Sequence, residues 1–474
     1  MSLSQAPDGG LWSPQRRQLT IGLVLTITLV AFEALAVSTI MPIVVRDLHD
    51  LEHYGWVFTA FMLASLIGIV VSGGLIDKRG LGLPFGLGLG LFAIGLVVGG
   101  LAPSMPILIA ARFVQGLGAG AVPPIAYVAI GRSLPERLRP QMFATLSTAW
   151  VLPGVIGPAI AGFVGEHLHW RVVFLGLLPL IALAAAMSWP AIRRIAAAEA
   201  AIGPEAEAAA SFRRRLPLAI RVALGAGLLL GGFQISDVPI AVATMLVGGA
   251  IGLHALRHLT PPGTLRLARG LPTAVLMRGM LTFAFFAVDA YVALALVNWR
   301  GLSATEAGIS LTAATLSWTV GSWIQARNAH RWEPDRFVRA GVIVVVLGLA
   351  AFMVVLLPEV SPWMAIPTFG LAGLGMGLAY APLTLIVLRE SPPAEQGAAT
   401  AALSLTDSLG TALGTGVTAA TVAISVRAGD GPAPGLAAGF TIALVVGLIA
   451  TLVGGRLHHG TQAPHPKSLV VREA

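Results

Sequence analysis

Apolar residues in this chain fall in continuous blocks of about 20, the length that carries a helix across roughly 30 Å of hydrocarbon. The blocks start near Ile21, Val57, Leu81, Ile107, Met142, Val172, Leu216, Pro239, Val275, Gly308, Val342, Met364, Ala398 and Ala438. By this rule the pattern predicts about fourteen helices separated by short polar joints. Long unbroken runs are not the short alternating segments of a β-barrel, so the expected class is an all-α membrane protein.

Composition agrees. Of 474 residues, 56% are hydrophobic and 11% charged, a balance that suits lipid better than water. The net charge of +8 raises the question of nucleic acid, and the placement of the basic residues answers it. Arg16, Arg17, Lys78, Arg79, Arg132, Arg389 and many others fall at one set of helix ends, and only Arg46, Arg171, Arg300 and Arg427 at the other. That asymmetry is the positive-inside pattern, which predicts an inner-membrane protein with both termini cytoplasmic and an even helix count; nucleic acid is not an expected partner. The first helix is too long for a signal peptide and is expected to be retained. With no cysteine, thiolate chemistry and Cys-ligated metals are excluded. His458 and His459 stand in a polar tail with no ligand cluster, so no metal is expected. No phosphate-cradling Walker loop supports the use of ATP.

The blocks group as a tail (1–18), six helices (19–190), an Ala- and Glu-rich polar linker flanked by arginines (191–215), two inserted helices (216–257), a second linker (258–270), six more helices (271–457) and a polar tail (458–474). The two sets of six are related. "QGLGAGAVPP" at 115–124 matches "AGLGMGLAYA" at 372–381, and the same offset pairs Arg132 with Arg389, Pro135 with Pro392 and Gly157 with Gly414. At nearly that offset, Glu33 in "AFEA" meets Asp289 in "AVDA", so each half is expected to carry one acid at one place in its first helix.

After the second block the chain reads "GGLIDKRG", with Gly73, Asp77, Lys78 and Gly80. Here it resembles the major facilitator superfamily, whose loop between the second and third helices has this spacing. Leu81 and Gly82 depart from the family, which carries further basic residues there. Gly321, Gln325 and Arg327 look like a degenerate echo in the second half. "ARFVQGLGAG" in the fourth helix, with Arg112, Gln115, Gly116 and Gly118, resembles the next family motif. "WVLPGVIGPAIAGF" in the fifth, with Gly154, Gly157, Pro158 and Gly162, is similar to the motif that marks proton-driven exporters. Fourteen helices and the acid-bearing first helix ending in "TIMP" point on to the fourteen-helix drug:proton antiporter branch. The resemblance implies two six-helix bundles plus two inserted helices, and a carrier with no covalent chemistry or bound cofactor, powered by the proton gradient.

An arginine inside a membrane helix costs at least roughly 2.5 to 3.5 kcal/mol on insertion scales, so Arg112 should face a cavity or an acid. Counted at 1.5 Å per residue, Glu33 lies about 18 Å from the basic end of its helix and Arg112 about 10 Å from the opposite end of its own, which are similar levels in a core of about 30 Å. Glu33 is therefore expected to pair with Arg112 in the central cavity, where burial opposes its charge and Arg112 supports it, so that a proton and a substrate compete for one carboxylate. Asp289 is the expected second acid and Asp407 a third. The plainer alternatives are that Arg112 snorkels to the interface and that Glu33 only bonds neighbouring helices. Trp150, Phe285, Phe286, Tyr291, Trp318 and Met280 are candidates to line an apolar pocket for lipophilic cations, although each also suits packing or lipid contact. The expected function is proton-coupled export of lipophilic, drug-like compounds by a monomer, a property that would confer antibiotic resistance. Export of a lipid or endogenous metabolite is the alternative in the same fold. A receptor or structural subunit would leave the buried acids dispensable, and the fifth-helix motif disfavours an importer.

Overall fold

A computed structural model describes residues 10–14, 16–50, 54–200, 207–232, 235, 237–302 and 304–457. All regular structure in them is helical. The first bundle comprises α1 (Arg17–Leu48), α2 (Tyr54–Arg79), α3 (Gly82–Gly100), α4 (Met105–Ser133), α5 (Arg139–Thr148), α6 (Val151–Val164), α7 (Trp170–Leu175) and α8 (Leu178–Ala200). Two inserted helices follow, α9 (Glu207–Gly232) and α10 (Val238–Leu259). The second bundle is α11 (Leu271–Leu294), α12 (Ala304–Asn328), α13 (Pro334–Val354), α14 (Ala365–Glu390), α15 (Gln396–Arg427) and α16 (Pro432–Val453).

Every expected apolar block is helical, and the ends carry ordinary signals. Proline opens α4, α10, α11, α13 and α16, where its missing N–H costs nothing. The Asp237 carboxylate caps α10 by accepting from the Ile240 N–H at 3.0 Å. Gly80 closes α2 with φ +69°, and its N–H donates to the Ile76 carbonyl. The fifth block is not one helix: it breaks at Ala149 and Trp150 between α5 and α6, then passes through a π-helical turn at Gly165–His169. α8 continues through Pro190 to Ala200, and α9 begins at Glu207, so helix extends into both ends of the stretch read as a linker. The tail beyond 457 and residues 201–206 lie outside the described residues.

Among the described residues, eleven helical stretches are long and apolar enough to cross a membrane. The apolar part of α9 is shorter, Leu216–Leu229. α12 is also absent from the eleven, because hydroxyls and an amide (Ser310, Thr312, Thr315, Ser317, Thr319, Ser322, Gln325) interrupt it.

Glycine rows hold each bundle together and set the register of the repeat. A methyl on Gly116 would lie 2.2 Å from the Phe61 carbonyl oxygen, and one on Gly373 2.2 Å from that of Ala314. Gly120 and Gly377 stand in the same way against the Ser65 and Trp318 carbonyls, and Gly118 and Gly375 against those of Gly88 and Gly341. The pairing of α4 with α14 is thus the one the sequence suggested. The pairing of α2 with α12 is not: Gly321 stands against Leu374 as Gly68 stands against Leu117, so Gly321 is the counterpart of Gly68 and its likeness to Gly73 is fortuitous.

The bundles touch at the end that bears Arg79, Arg132 and Arg389. α2 and α4 meet α15, and α5 meets α12 and α14. Ala381 and Leu388 of α14 join the apolar cluster formed by Ile125, Val128 and Leu138.

Candidate functional site

Glu33, midway along α1, and Arg112, in the half of α4 nearer Met105, form an ion pair through Oε1 and Nη1. Their side chains are 0% and 3% exposed, so the pair is sealed inside the first bundle instead of facing the expected central cavity, and Arg112 does not snorkel. Nη1 also donates to Gln115 Oε1 at 2.8 Å, and Nε reaches the Val57 carbonyl at 3.5 Å. The Phe61 ring lies beneath the guanidinium, 4.2 Å to its centroid. Glu33 Oε2 and Gln115 Nε2 are buried with no hydrogen-bond partner among the described residues. The glutamate thus has one oxygen held by charge and one free, an arrangement that can take up a proton without first breaking the pair.

The fold corrects the expected mate of Glu33. Phe369 occupies in α14 the place of Arg112 in α4, four residues before the first packed glycine. The residue of α11 that meets Phe369 is Phe285, stacked on it at 5.3 Å between centroids and 16° between planes. Where the first bundle has an acid and an arginine, the second has two phenyl rings. Asp289 lies one turn further along α11, half-buried, with no hydrogen bond or ion pair among the described residues. Phe285, 3% exposed in the second core, is a packing residue and not a pocket wall.

The second bundle has its own charged pair at another place. Arg278 of α11 is fully buried, with Nη1 3.8 Å from Asp407 Oδ1 on α15. Its Nη2 donates to the Tyr380 carbonyl at 2.8 Å and to Thr384 Oγ1 at 2.5 Å, and its guanidinium stacks over the Tyr380 ring at 3.5 Å. The Tyr380 hydroxyl donates to Asp407 Oδ2 at 2.8 Å. Trp318 packs on Tyr380 at 5.3 Å, and Phe286 on Trp318 at 6.4 Å, so these part-buried rings form a continuous aromatic wall beside Asp407. Met280 and Tyr291 are also part-buried against the second core, and the Tyr291 hydroxyl donates to the Thr415 carbonyl at 3.2 Å. Trp150 is 46% exposed at the α5–α6 break. Arg278 and Tyr380 were not singled out from the sequence. The signal for Arg278 was there, since an arginine in "AVLMRGMLTF" carries the same insertion cost that drew attention to Arg112.

The loop motif acts between the bundles. Asp77 Oδ1 and Oδ2 accept from the Gly397 and Ala398 N–H groups, both at 2.8 Å, so a carboxylate caps the start of α15 where the helix dipole is positive. Gly73 allows the approach, since a methyl there would stand 2.4 Å from the Ala401 side chain. Arg132 adds a bond from Nη2 to the Pro393 carbonyl at 2.8 Å. Lys78 is part-buried beside Asp77.

The glycines of the fifth-block motif behave differently from those of α4. Gly157 faces Phe32 and Leu35 of α1, on either side of Glu33, at 3.6 and 4.0 Å from an added methyl; Gly162 faces Thr39 at 3.7 Å; Gly154 faces nothing within 4 Å. Where Gly157 and Gly162 face the helix that carries Glu33, each leaves room for a methyl. The Pro158 side chain lies outside the described residues.

Known proteins agree with this architecture. A protein of Mycobacterium tuberculosis named as a probable multidrug-efflux transporter is 26% identical over 426 residues, 84% of this chain and 87% of its own. The multidrug transporter protein MdtP of Bacillus subtilis is 26% identical over 411 residues, covering 84% and 73%. Among solved structures, the human organic anion transporter MFSD10 superposes with a TM-score of 0.66 at 14% identity, over 93% of this chain and 99% of that one, a likeness of fold. The sequence model of the Major Facilitator Superfamily matches residues 23–415, from α1 into α15, and takes in the family motifs described above. The chain is a membrane transporter, not an enzyme, and it belongs to the Major Facilitator Superfamily.

Proposed function

We propose that the chain exports lipophilic, drug-like compounds, cations among them, in exchange for protons, by alternating access between its two bundles. The observation that carries this reading is the sealed Glu33–Arg112 pair with its free carboxylate oxygen. The names of the two bacterial relatives support the drug-export part of it.

The bundles, closed against each other at the basic end, correspond to the state open to the outside, with both termini cytoplasmic in an inner membrane. A proton from outside adds to Glu33 Oε2 and removes the charge that Arg112 balances. Arg112 is then a buried cation with only neutral partners, Gln115, the Val57 carbonyl and the Phe61 ring, and the bundle relaxes toward an arrangement that offers it water or an anion. The glycines of α6 that face α1 have room for one methyl, so α6 is packed less tightly on α1 than α4 is on α2. Opening inward breaks the Asp77 cap on α15, the proton leaves to the cytoplasm, and substrate taken up there restores the outward-open state. No ATP or bound cofactor takes part, and one chain is sufficient.

Ethidium efflux from everted or reconstituted vesicles under an imposed pH gradient tests the reading. Native protein drives efflux and Glu33→Gln, expressed to the same level, does not. A Glu33→Gln protein that still responds to the pH gradient would remove Glu33 from the coupling.

A further inference from the structure

The charged cluster of the second bundle has one open side and one side covered by the other bundle. Asp407 is 24% exposed, whereas Arg278 behind it is sealed. The cover is Tyr127 of α4, a part-buried residue that packs against two apolar clusters, the one that holds Phe285 and Leu383 and the one that holds Ile125 and Leu138. Its ring meets Phe143 of α5 edge-on at 5.7 Å between centroids, so the first bundle fixes where the ring points. Its hydroxyl faces Tyr380 and Arg278 across the interface, with Asp407 beyond them.

The hydrogen-bonding needs of the cluster match a phenol at this place. The Tyr380 hydroxyl gives its proton to Asp407 Oδ2 at 2.8 Å, so the Tyr380 oxygen is left to accept. Arg278 Nε is a buried donor with no hydrogen-bond partner among the described residues. A hydroxyl can donate to the first and accept from the second. Tyr127 stands six residues before the end of α4, and Asp407 eleven past the start of α15. At 1.5 Å per residue the cluster therefore lies roughly 9 to 17 Å inside the basic end, deeper than the Asp77 cap at the start of α15.

We propose that Tyr127 is an inter-bundle latch, whose hydroxyl bonds Tyr380 and so ties closure of the bundles at the basic end to the Arg278–Asp407 pair. While the bundles are closed, Tyr127 shields Arg278 and holds the Tyr380 hydroxyl on Asp407. Parting of the bundles withdraws Tyr127 with α4 and opens the pair to water. The closed end then has two layers: a rim, where Asp77 caps α15, and an inner layer, where a phenol of one bundle completes the polar network of the other. Tyr127 is a positioning residue that acts through Tyr380. The inference rests on the basic end opening during transport, and the experiment reads that opening without a substrate.

The chain has no native cysteine, so Ala381→Cys gives a single thiol. The site is 6% exposed and belongs to the apolar cluster that the two bundles share, so it is covered while they are closed. A membrane-impermeant maleimide applied to everted vesicles should label it slowly. Tyr127→Phe, which keeps the ring, should raise the rate roughly two- to tenfold, the weight of one hydrogen bond. Tyr380→Phe should also raise it, and the two changes together should exceed Tyr380→Phe alone by little, because both open one latch. Leu388→Ala, which takes packing from the same interface and removes no hydroxyl, is the control, and its effect should add to that of Tyr127→Phe. An unchanged rate in Tyr127→Phe overturns the latch, and so does an effect of Tyr127→Phe that adds in full to that of Tyr380→Phe. Faster labelling of Tyr127→Phe in a protein that drives no ethidium efflux would keep the latch and remove the exporter; efflux with unchanged labelling would do the reverse.

Discussion

The two halves of the repeat solve the same packing problem with different chemistry, and the comparison yields a quantitative prediction about Glu33 and Arg112. Both side chains are essentially unexposed, and the ion pair is the main compensation for burying either charge. Replacing Glu33 with Leu leaves the Arg112 cation facing only Gln115, a carbonyl and the Phe61 ring, and replacing Arg112 with Leu strands a carboxylate. Breaking a buried pair from one side costs about 3–5 kcal/mol. Removing both charges together should cost far less, because exchange of a buried pair for apolar groups is often neutral, and in this protein Phe285 and Phe369 already fill the equivalent place as a dry stack. The two single variants and the double variant form a cycle, with stability read as the thermal midpoint of the purified protein in one detergent. Each single variant should lose several degrees, and the double variant should recover most of the loss while remaining unable to couple efflux to the pH gradient. If the losses add, so that the double variant is as unstable as the sum of the singles, the two charges do not compensate each other and the pair is not the structural unit described here.

Two further outcomes follow from the packing. Gly116→Ala places a methyl 2.2 Å from the Phe61 carbonyl and forces α2 and α4 apart, an overpacking cost of about 1–3 kcal/mol or more, whereas Gly154→Ala meets nothing within 4 Å; size-exclusion profiles of fluorescently tagged protein should show the first aggregated or poorly expressed and the second native. Asp77→Asn retains one acceptor but loses the charge that caps α15, which should weaken closure at the basic end by about 1–2 kcal/mol; cysteines placed across the α2–α15 seam should then cross-link more slowly than in the native background, and an unchanged rate would remove the cap from the gate.

The sequence was most legible where one physical rule acted alone. Bilayer thickness and helix rise located every block and put Glu33 and Arg112 at one level, and the fold joins them. The glycine pairing of α4 with α14 was equally readable, because close backbone contact leaves no other residue to choose. Sequence spacing does not carry between helices joined by loops of different length. Motif spacing sets Gly321 against Gly73, and nearly the α4–α14 offset sets Asp289 against Glu33, whereas packing partners match Gly321 to Gly68 and Phe285 to Glu33. The α5–α6 break was hidden because "STAWVLPGV" reads as continuous apolar helix, and the turn is set by its neighbours on α1 and α12, including the Thr28 hydroxyl that donates to the Ala149 carbonyl. Arg278 is not legible from matched acids, because its partner Asp407 has no acidic counterpart in the first half: the α4–α14 offset sets it against Trp150.

The glycine rows have a mechanical meaning. Where Gly116, Gly118 and Gly120 bring α4 into backbone contact with α2 and α3, and Gly373, Gly375 and Gly377 bring α14 against α12 and α13, there is almost no slack for one helix to yield against the next. Each bundle is stiff, like a plank glued along its grain. A disturbance at Glu33 would then pass to the basic end, where the Asp77 cap on α15 and the Arg132 bond to Pro393 join the bundles. On the proposed reading, one proton taken up at Glu33 would turn a whole half of the molecule.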